Sequence, residues 1–149
     1  MTTTTYPKVY LYRRIVQAKL FIDDNYSENI DLANISDEAF FSKFHFIRLF
    51  KKAYGKTPHQ YLTTVRIENA KLILQTEATI TDVCYSVGFD GVSSFTHLFK
   101  RFTKLTPSAY QQQQRIRKIE MAKSPLKFIP NCFAEQKGWV KKRNFKQVP

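Results

Sequence analysis

Residues 41–58 read FSKFHFIRLFKKAYGKTP. Phe44, Ile47 and Phe50 recur at steps of three, with Phe46, Leu49 and Tyr54 adjoining, so the spacing predicts a helix with a broad apolar face. Lys43, His45, Arg48, Lys51 and Lys52 take the other side, with no acid among them. Ser42 is suited to start this helix and Gly55 to stop it, with Pro58 just beyond. Upstream, Val9, Tyr12, Val16, Leu20 and Phe21, with Leu11 and Ile15 beside them, predict an amphipathic helix over 9–24 with that apolar side packed inward. Asp31 can cap a short helix whose buried side is Leu32, Ala33, Ile35 and Ala39. Two helices joined by a short turn, the second one basic, form a helix-turn-helix candidate.

The stretch 59–75, HQYLTTVRIENAKLILQ, is apolar on most sides, as expected of a long helix buried between other elements. Thr79 can cap a helix over 80–87, which Gly88 ends, and Phe89 anchors the turn that follows. Asp90 or Ser93 would start a second basic helix, SSFTHLFKRF. Thr106 and Pro107 would then begin a last short helix to about residue 114. The two halves repeat. Leu32, Ile35 and Phe41 match Ile80, Val83 and Phe89 at an offset of 48. Phe46, Phe50, Lys51, Gly55, Thr57, Pro58 and Tyr61 answer at an offset of 49 to Phe95, Phe99, Lys100, Lys104, Thr106, Pro107 and Tyr110. No period-two pattern competes, so the fold class is all-α: two helix-turn-helix units joined by a long central helix.

Composition narrows the partner. The chain has 149 residues, 43% hydrophobic and 15% aromatic, enough for one compact domain or two small ones. Its formal net charge of +12 points to a polyanion, either nucleic acid or an anionic membrane surface. The charge is segregated: residues 20–40 hold acids and no bases, residues 41–66 bases and no acids. The segment 115–149 is strongly basic, and its Pro125, Pro130 and Gly138 break helices. Yet Leu126, Phe128, Trp139 and Phe145 make it too apolar for an ordinary disordered tail. Cys84 and Cys132 lack metal-ligand or disulfide-framework spacing. No signal-peptide core precedes residue 9, and no apolar run approaches the ~20 residues of a membrane span, so a cytoplasmic location is expected. His45, His59 and His97 show no ligand spacing, and there is no phosphate-binding glycine loop or nucleophile–base pair, so an enzyme is poorly supported and no cofactor or metal is expected.

Ser42, Phe46, Arg48, Phe50 and Lys51 followed by Gly55 form a pattern that resembles the AraC/XylS family of bacterial transcription regulators. The segment from Gly88 through SSFTHLFK to TPSAY resembles it as well. The resemblance covers about residues 9–114. It implies a seven-helix, homeodomain-like domain: a first subdomain over 9–58, a linker helix over 59–75 and a second subdomain over 79–114. The two recognition helices would enter successive major-groove segments of double-stranded DNA, about 34 Å apart. It further implies a stand-alone member acting as a monomer on the nucleoid, controlled mainly by its amount. Transcription regulation, activation included, is the implied activity, with RNA polymerase as a second candidate partner.

Mapped onto the family's positions, the base contacts of the first recognition helix are Lys43, Phe44, His45, Ile47 and Arg48. Arg48 can make a bidentate contact to guanine, worth roughly 1–3 kcal/mol of discrimination. Phe44 and Ile47 can touch thymine methyls or belong to the core. The second helix contributes Val92, Ser93, Ser94, Thr96 and His97. Val92 and His97 depart from the family there, which implies weaker or more shape-based readout. Lys104 replaces the usual Gly, so the turn there is expected to differ, and Phe40 stands where a small residue is common. Phosphate contacts fall to Ser42, Lys51, Lys52, Lys56, His59, Lys100 and Arg101. Arg66 is expected to join the two halves through an acid or a carbonyl, and Cys84 to be an inert core thiol. Two competing readings are a sequence-indifferent nucleic-acid binder and an interaction module docking through its basic tail.

Overall fold

In the computed structural model, which describes residues 6–31, Ile35 and 42–138, every regular element among the described residues is helical. Helix α1 spans Tyr6–Asn25, α2 Lys43–Tyr54, α3 Pro58–Ile73, α4 Ile80–Ser86, α5 Val92–Thr103 and α6 Pro107–Lys123. A 3₁₀ turn, Pro125–Phe128, and a short α7, Asn131–Gln136, follow. The predicted helix after Asp31 lies outside the described residues apart from Ile35, which is helical and fully buried. Phe40 and the tail beyond residue 138 lie outside them too.

Two cores account for the two halves. The first gathers Ile15, Ala18 and Ile22 of α1, Ile35, Phe46 and Phe50 of α2, and Leu62 of α3. The second gathers Ile67, Ala70 and Leu74 around α3, Val83, Cys84 and Val87 around α4, Phe89, and Phe95 and Phe99 of α5. The repeat is geometric as well as textual. Ring centroids are 5.6 Å apart in Phe46–Phe50 and 5.6 Å in Phe95–Phe99. Phe50 meets Tyr61 edge-on at 5.6 Å, and Phe99 meets Tyr110 edge-on at 5.4 Å. The triad Ile15, Ala18, Ile22 has the same 3, 4 spacing as Ile67, Ala70, Leu74. So α3 supports the second helix-turn-helix as α1 supports the first, while its own Leu62 closes the first core.

Arg66 of α3 and Gly88 lock these halves together. The Arg66 Nε–H donates to the Tyr26 carbonyl at 2.7 Å and its Nη2 to the Glu28 carbonyl at 2.8 Å. Its guanidinium also stands 5.7 Å from the centre of the Phe89 ring. Burial pulls the Arg66 pKa down, and the nearby Asp90 carboxylate partly offsets this. Gly88 has φ +87°, and a Cβ there would sit 2.7 Å from the Tyr26 oxygen and 2.8 Å from the Ser27 oxygen. The expectation that Arg66 holds the halves together through a carbonyl is met.

Several expectations are corrected. In α1 the inward face is Ile15, Ala18 and Ile22, whereas Val9, Tyr12, Val16 and Leu20 are exposed, Val9 by 70%. The hydrophobic count favoured the larger side chains, but Ala18 lets the helix approach closely and sets the face. Helix α5 starts at Val92 with Gly91 as its N-cap, not at Ser93 or after Asp90. Helix α6 continues to Lys123 because nothing between 108 and 123 breaks it, and the Gln111, Arg115 and Lys118 side chains reach back to Thr76, Glu77 and Gln75. The turn after α5 does not differ from its counterpart. Lys104 takes φ 66° beside 72° at Gly55, and each N–H donates to the carbonyl four residues back at 2.8 Å. A lysine thus stands in a left-handed conformation that glycine adopts at less cost.

Candidate nucleic-acid interface

Both basic helices hang from two buried phenylalanines, Phe46 and Phe50 in α2 and Phe95 and Phe99 in α5. Burying positions i and i+4 turns the opposite side of each helix outward. On α2 that side carries Lys43, Phe44, Arg48, Lys51 and Lys52, all exposed, while His45 and Ile47 are half-buried. Phe44 is 79% exposed, so it is no core residue. Arg48 forms no ion pair among the described residues; Asp37 and Glu38 of the preceding segment lie outside them. On α5 the equivalent side carries Ser93, Ser94, His97, Lys100 and Arg101, exposed, with Thr96 half-buried. Val92 packs against the second core, which leaves it less of its surface for a base. Neither helix contains an acid.

The helix starts divide into two kinds. Threonines close three of them: the Gln60 N–H donates to Thr57 Oγ1 at 3.3 Å, Asp82 to Thr79 at 3.1 Å and Ala109 to Thr106 at 3.3 Å. Thr57 and Gln60 complete a capping box, the Thr57 N–H donating to Gln60 Oε1 at 3.0 Å. The two basic helices differ. Ser42 stands at the N-cap of α2 in an extended conformation without a side-chain capping bond, and Gly91 at the N-cap of α5 has no side chain to offer. Their first-turn amides therefore carry the partial positive end of the helix with no acid in the first turn to neutralise it. That arrangement accepts an anion such as a backbone phosphate. Ser42 takes the N-cap position expected of it, but its side chain makes no capping hydrogen bond.

Lys56 and His59 flank the start of α3 and are exposed, and Lys56 Nζ reaches Thr64 Oγ1 at 3.3 Å. With Arg101 of α5 they line one cleft, together with Gln60, Thr63, Thr64, Leu98 and Phe102. The sequence alone did not bring these together. The signal was the polar stripe His59, Gln60, Thr63, Thr64 along a helix otherwise read as apolar on most sides. Away from this surface, Cys84 is buried in the second core, where burial pushes its thiol pKa up, and Cys132 is exposed. Among the described residues no helix is long and apolar enough to cross a membrane.

A family model described as a helix-turn-helix domain matches residues 35–113, more than half of the chain. The probable transcriptional regulator LumQ of Photobacterium leiognathi is 33% identical over 105 residues, covering 66% of this chain and 42% of that protein. The chain thus spans less than half the length of that relative. Among solved structures, the C-terminal domain of the two-component response regulator yesN from Fusobacterium nucleatum is 30% identical, with a TM-score of 0.61 over 63% of this chain and 93% of that one. The DNA-binding domain of the global transcriptional factor AdpA, in complex with a target DNA, shares the fold. Its TM-score is 0.68 at 24% identity, over 71% of this chain and 96% of that one.

Proposed function

We propose, from the premise that this chain belongs to the AraC/XylS family of helix-turn-helix transcription regulators, that it binds double-stranded DNA sequence-specifically with α2 and α5. The observation that carries this is the doubled geometry. Two helices, each hung from a Phe pair at the same ring distance, turn equivalent acid-free faces outward with uncapped starts. A general polyanion binder has no need to hold two faces in one repeated frame. Phosphates take Lys51, Lys52, Lys100, Arg101 and the helix starts, which fixes register. Bases meet Lys43, Phe44, His45 and Arg48 in one segment and Ser93, Ser94, Thr96 and His97 in the next.

The two faces are unequal. Arg48 can fork onto guanine, whereas its counterpart at offset 49, His97, cannot make that planar pair of bonds. Phe44, exposed beside it, offers a thymine methyl an apolar contact; its counterpart Ser93 does not. Helix α2 is therefore the main reader and α5 mainly positions. One chain then meets an asymmetric site, without the palindrome a symmetric dimer requires. The protein acts in the cytoplasm, on the nucleoid.

Selection from a random pool of short duplexes at near-physiological salt tests this. Two unequal elements about one helical turn apart are expected. Arg48→Ala should then relax preference at one position by about 1–3 kcal/mol. A bound pool with no consensus, and a salt dependence equally steep on every duplex, would overturn the reading in favour of a general binder.

A further inference from the structure

The two halves also part company at the cleft between α3 and α5. At an offset of 49, Lys56 and His59 correspond to Leu105 and Ser108, so their charge and imidazole belong to the junction alone. From the other side the cleft receives Arg101. It is a cleft of about 440 Å³ with no acid in its lining. Its polar floor is Gln60, Thr63 and Thr64 on α3. Its apolar wall is Leu98 and Phe102, the latter 43% exposed.

Each feature has a use if a DNA strand crosses here. Lys56 follows the Gly55 that ends α2, and Arg101 lies in the last turn of α5, so the cations come from the exits of the two reading helices. A strand passing from one major-groove segment to the next must cross the junction between those helices. Lysine and arginine supply charge-assisted hydrogen bonds to phosphate oxygens. An exposed aromatic beside an aliphatic side chain offers a dry surface to a deoxyribose.

We infer that this cleft clamps a phosphodiester of the strand that runs between the two recognition segments, gripped from both subdomains at once by Lys56 and Arg101. The inference rests on the DNA-reading function proposed above. It makes the clamp the device that couples two weak half-sites into one. A phosphate held from both sides pins the strand to the distance that packing sets between α2 and α5, so spacing between elements becomes part of the recognised sequence.

The test uses the full chain and a duplex bearing its selected two-element site, in ordinary form and with neutral methylphosphonate linkages between the elements. The neutral linkages should weaken the unaltered protein on the order of tenfold. The Lys56→Ala/Arg101→Ala variant should bind the ordinary duplex as weakly and lose nothing further on the neutral one. Both positions are exposed, and circular dichroism checks that the variant is folded. Equal binding of both duplexes by the unaltered protein overturns the clamp while leaving sequence reading intact. So do independent, multiplying losses from the variant and the neutral linkages. Should no consensus emerge, sequence reading fails separately, and the salt slope on random duplex still decides the clamp. A slope shallower by about one in the variant supports a single phosphate gripped by both cations, and an unchanged slope, or one shallower by about two, overturns it.

Discussion

Replacing Gly88 with alanine should be the most damaging single methyl that can be added to this chain at a glycine. Two costs add. The residue has φ +87°, where an L side chain costs about 1–2 kcal/mol. The new Cβ would also lie 2.7 Å and 2.8 Å from the Tyr26 and Ser27 carbonyl oxygens. These are backbone atoms that cannot rotate aside, and such overpacking costs about 1–3 kcal/mol more. The total, about 2–5 kcal/mol, is a large part of a small domain's stability.

Gly55 supplies the control. It has φ +72° with nothing within 4 Å of the would-be Cβ, so Gly55→Ala should cost only the backbone share, about 1–2 kcal/mol. Urea unfolding of both variants, followed by circular dichroism, gives the difference at the common slope. The contact at stake joins the turn after α1 to the turn after α4, so relief of the clash must move one subdomain against the other. Gly88→Ala should therefore weaken a duplex with both elements more than a duplex with the first alone. Equal losses of stability in the two alanine variants would refute the close approach, and with it the claim that this seam sets the spacing of the helices.

Other perturbations give further checks. Arg66→Lys should cost about 1–2 kcal/mol in urea unfolding, because one ammonium cannot fork to both the Tyr26 and Glu28 carbonyls. Lys104→Gly should stabilise the protein by about 1 kcal/mol, since glycine takes φ 66° without the strain of a side chain; an unchanged midpoint would argue against that strain. A chromogenic disulfide at pH 8 should titrate one thiol, the exposed Cys132, in the native protein and two after unfolding. Burial disfavours the Cys84 thiolate and blocks its approach, so a second fast thiol in the native state would contradict its place in the core.

The legible part of this protein was its repetition. Phe46, Phe50, Thr57, Pro58 and Tyr61 recur at a fixed offset in types whose roles are local: aromatic anchors, a hydroxyl cap, a helix-starting proline. Local roles leave local signatures. What was misread depends on partners far away in sequence. The face of α1 is chosen by Ala18, whose value lies in what it permits to come near, so a count of large apolar residues picked Val9, Val16 and Leu20 instead. The start of α5 at Gly91 escaped because serines and aspartate look like better caps. On the proposed reading, first-turn amides that meet a phosphate gain little from a side-chain cap. The cleft was invisible for a similar reason. Its residues come from α3 and α5 and from opposite sides of the repeat, and no offset relates them.

The shared helix α3 explains why the two motifs cannot behave as two beads on a string. Leu62 completes the first core, and Ile67, Ala70 and Leu74 found the second, with under two turns of helix between the two uses. The first triad, on α1, serves one unit only; the second, on α3, is rigidly continuous with the other unit's core. Bending α3 would therefore break hydrogen bonds inside a helix and open a core at the same time. Arg66 lies between the two sets and ties the outer turn of the first unit to the same rod. Distance and rotation between α2 and α5 are thus properties of packing, fixed before DNA arrives. If α5 is the weaker reader, as proposed, that rigid separation lets it add specificity through spacing, since a duplex with both elements at the wrong separation must either bend or forgo one set of contacts.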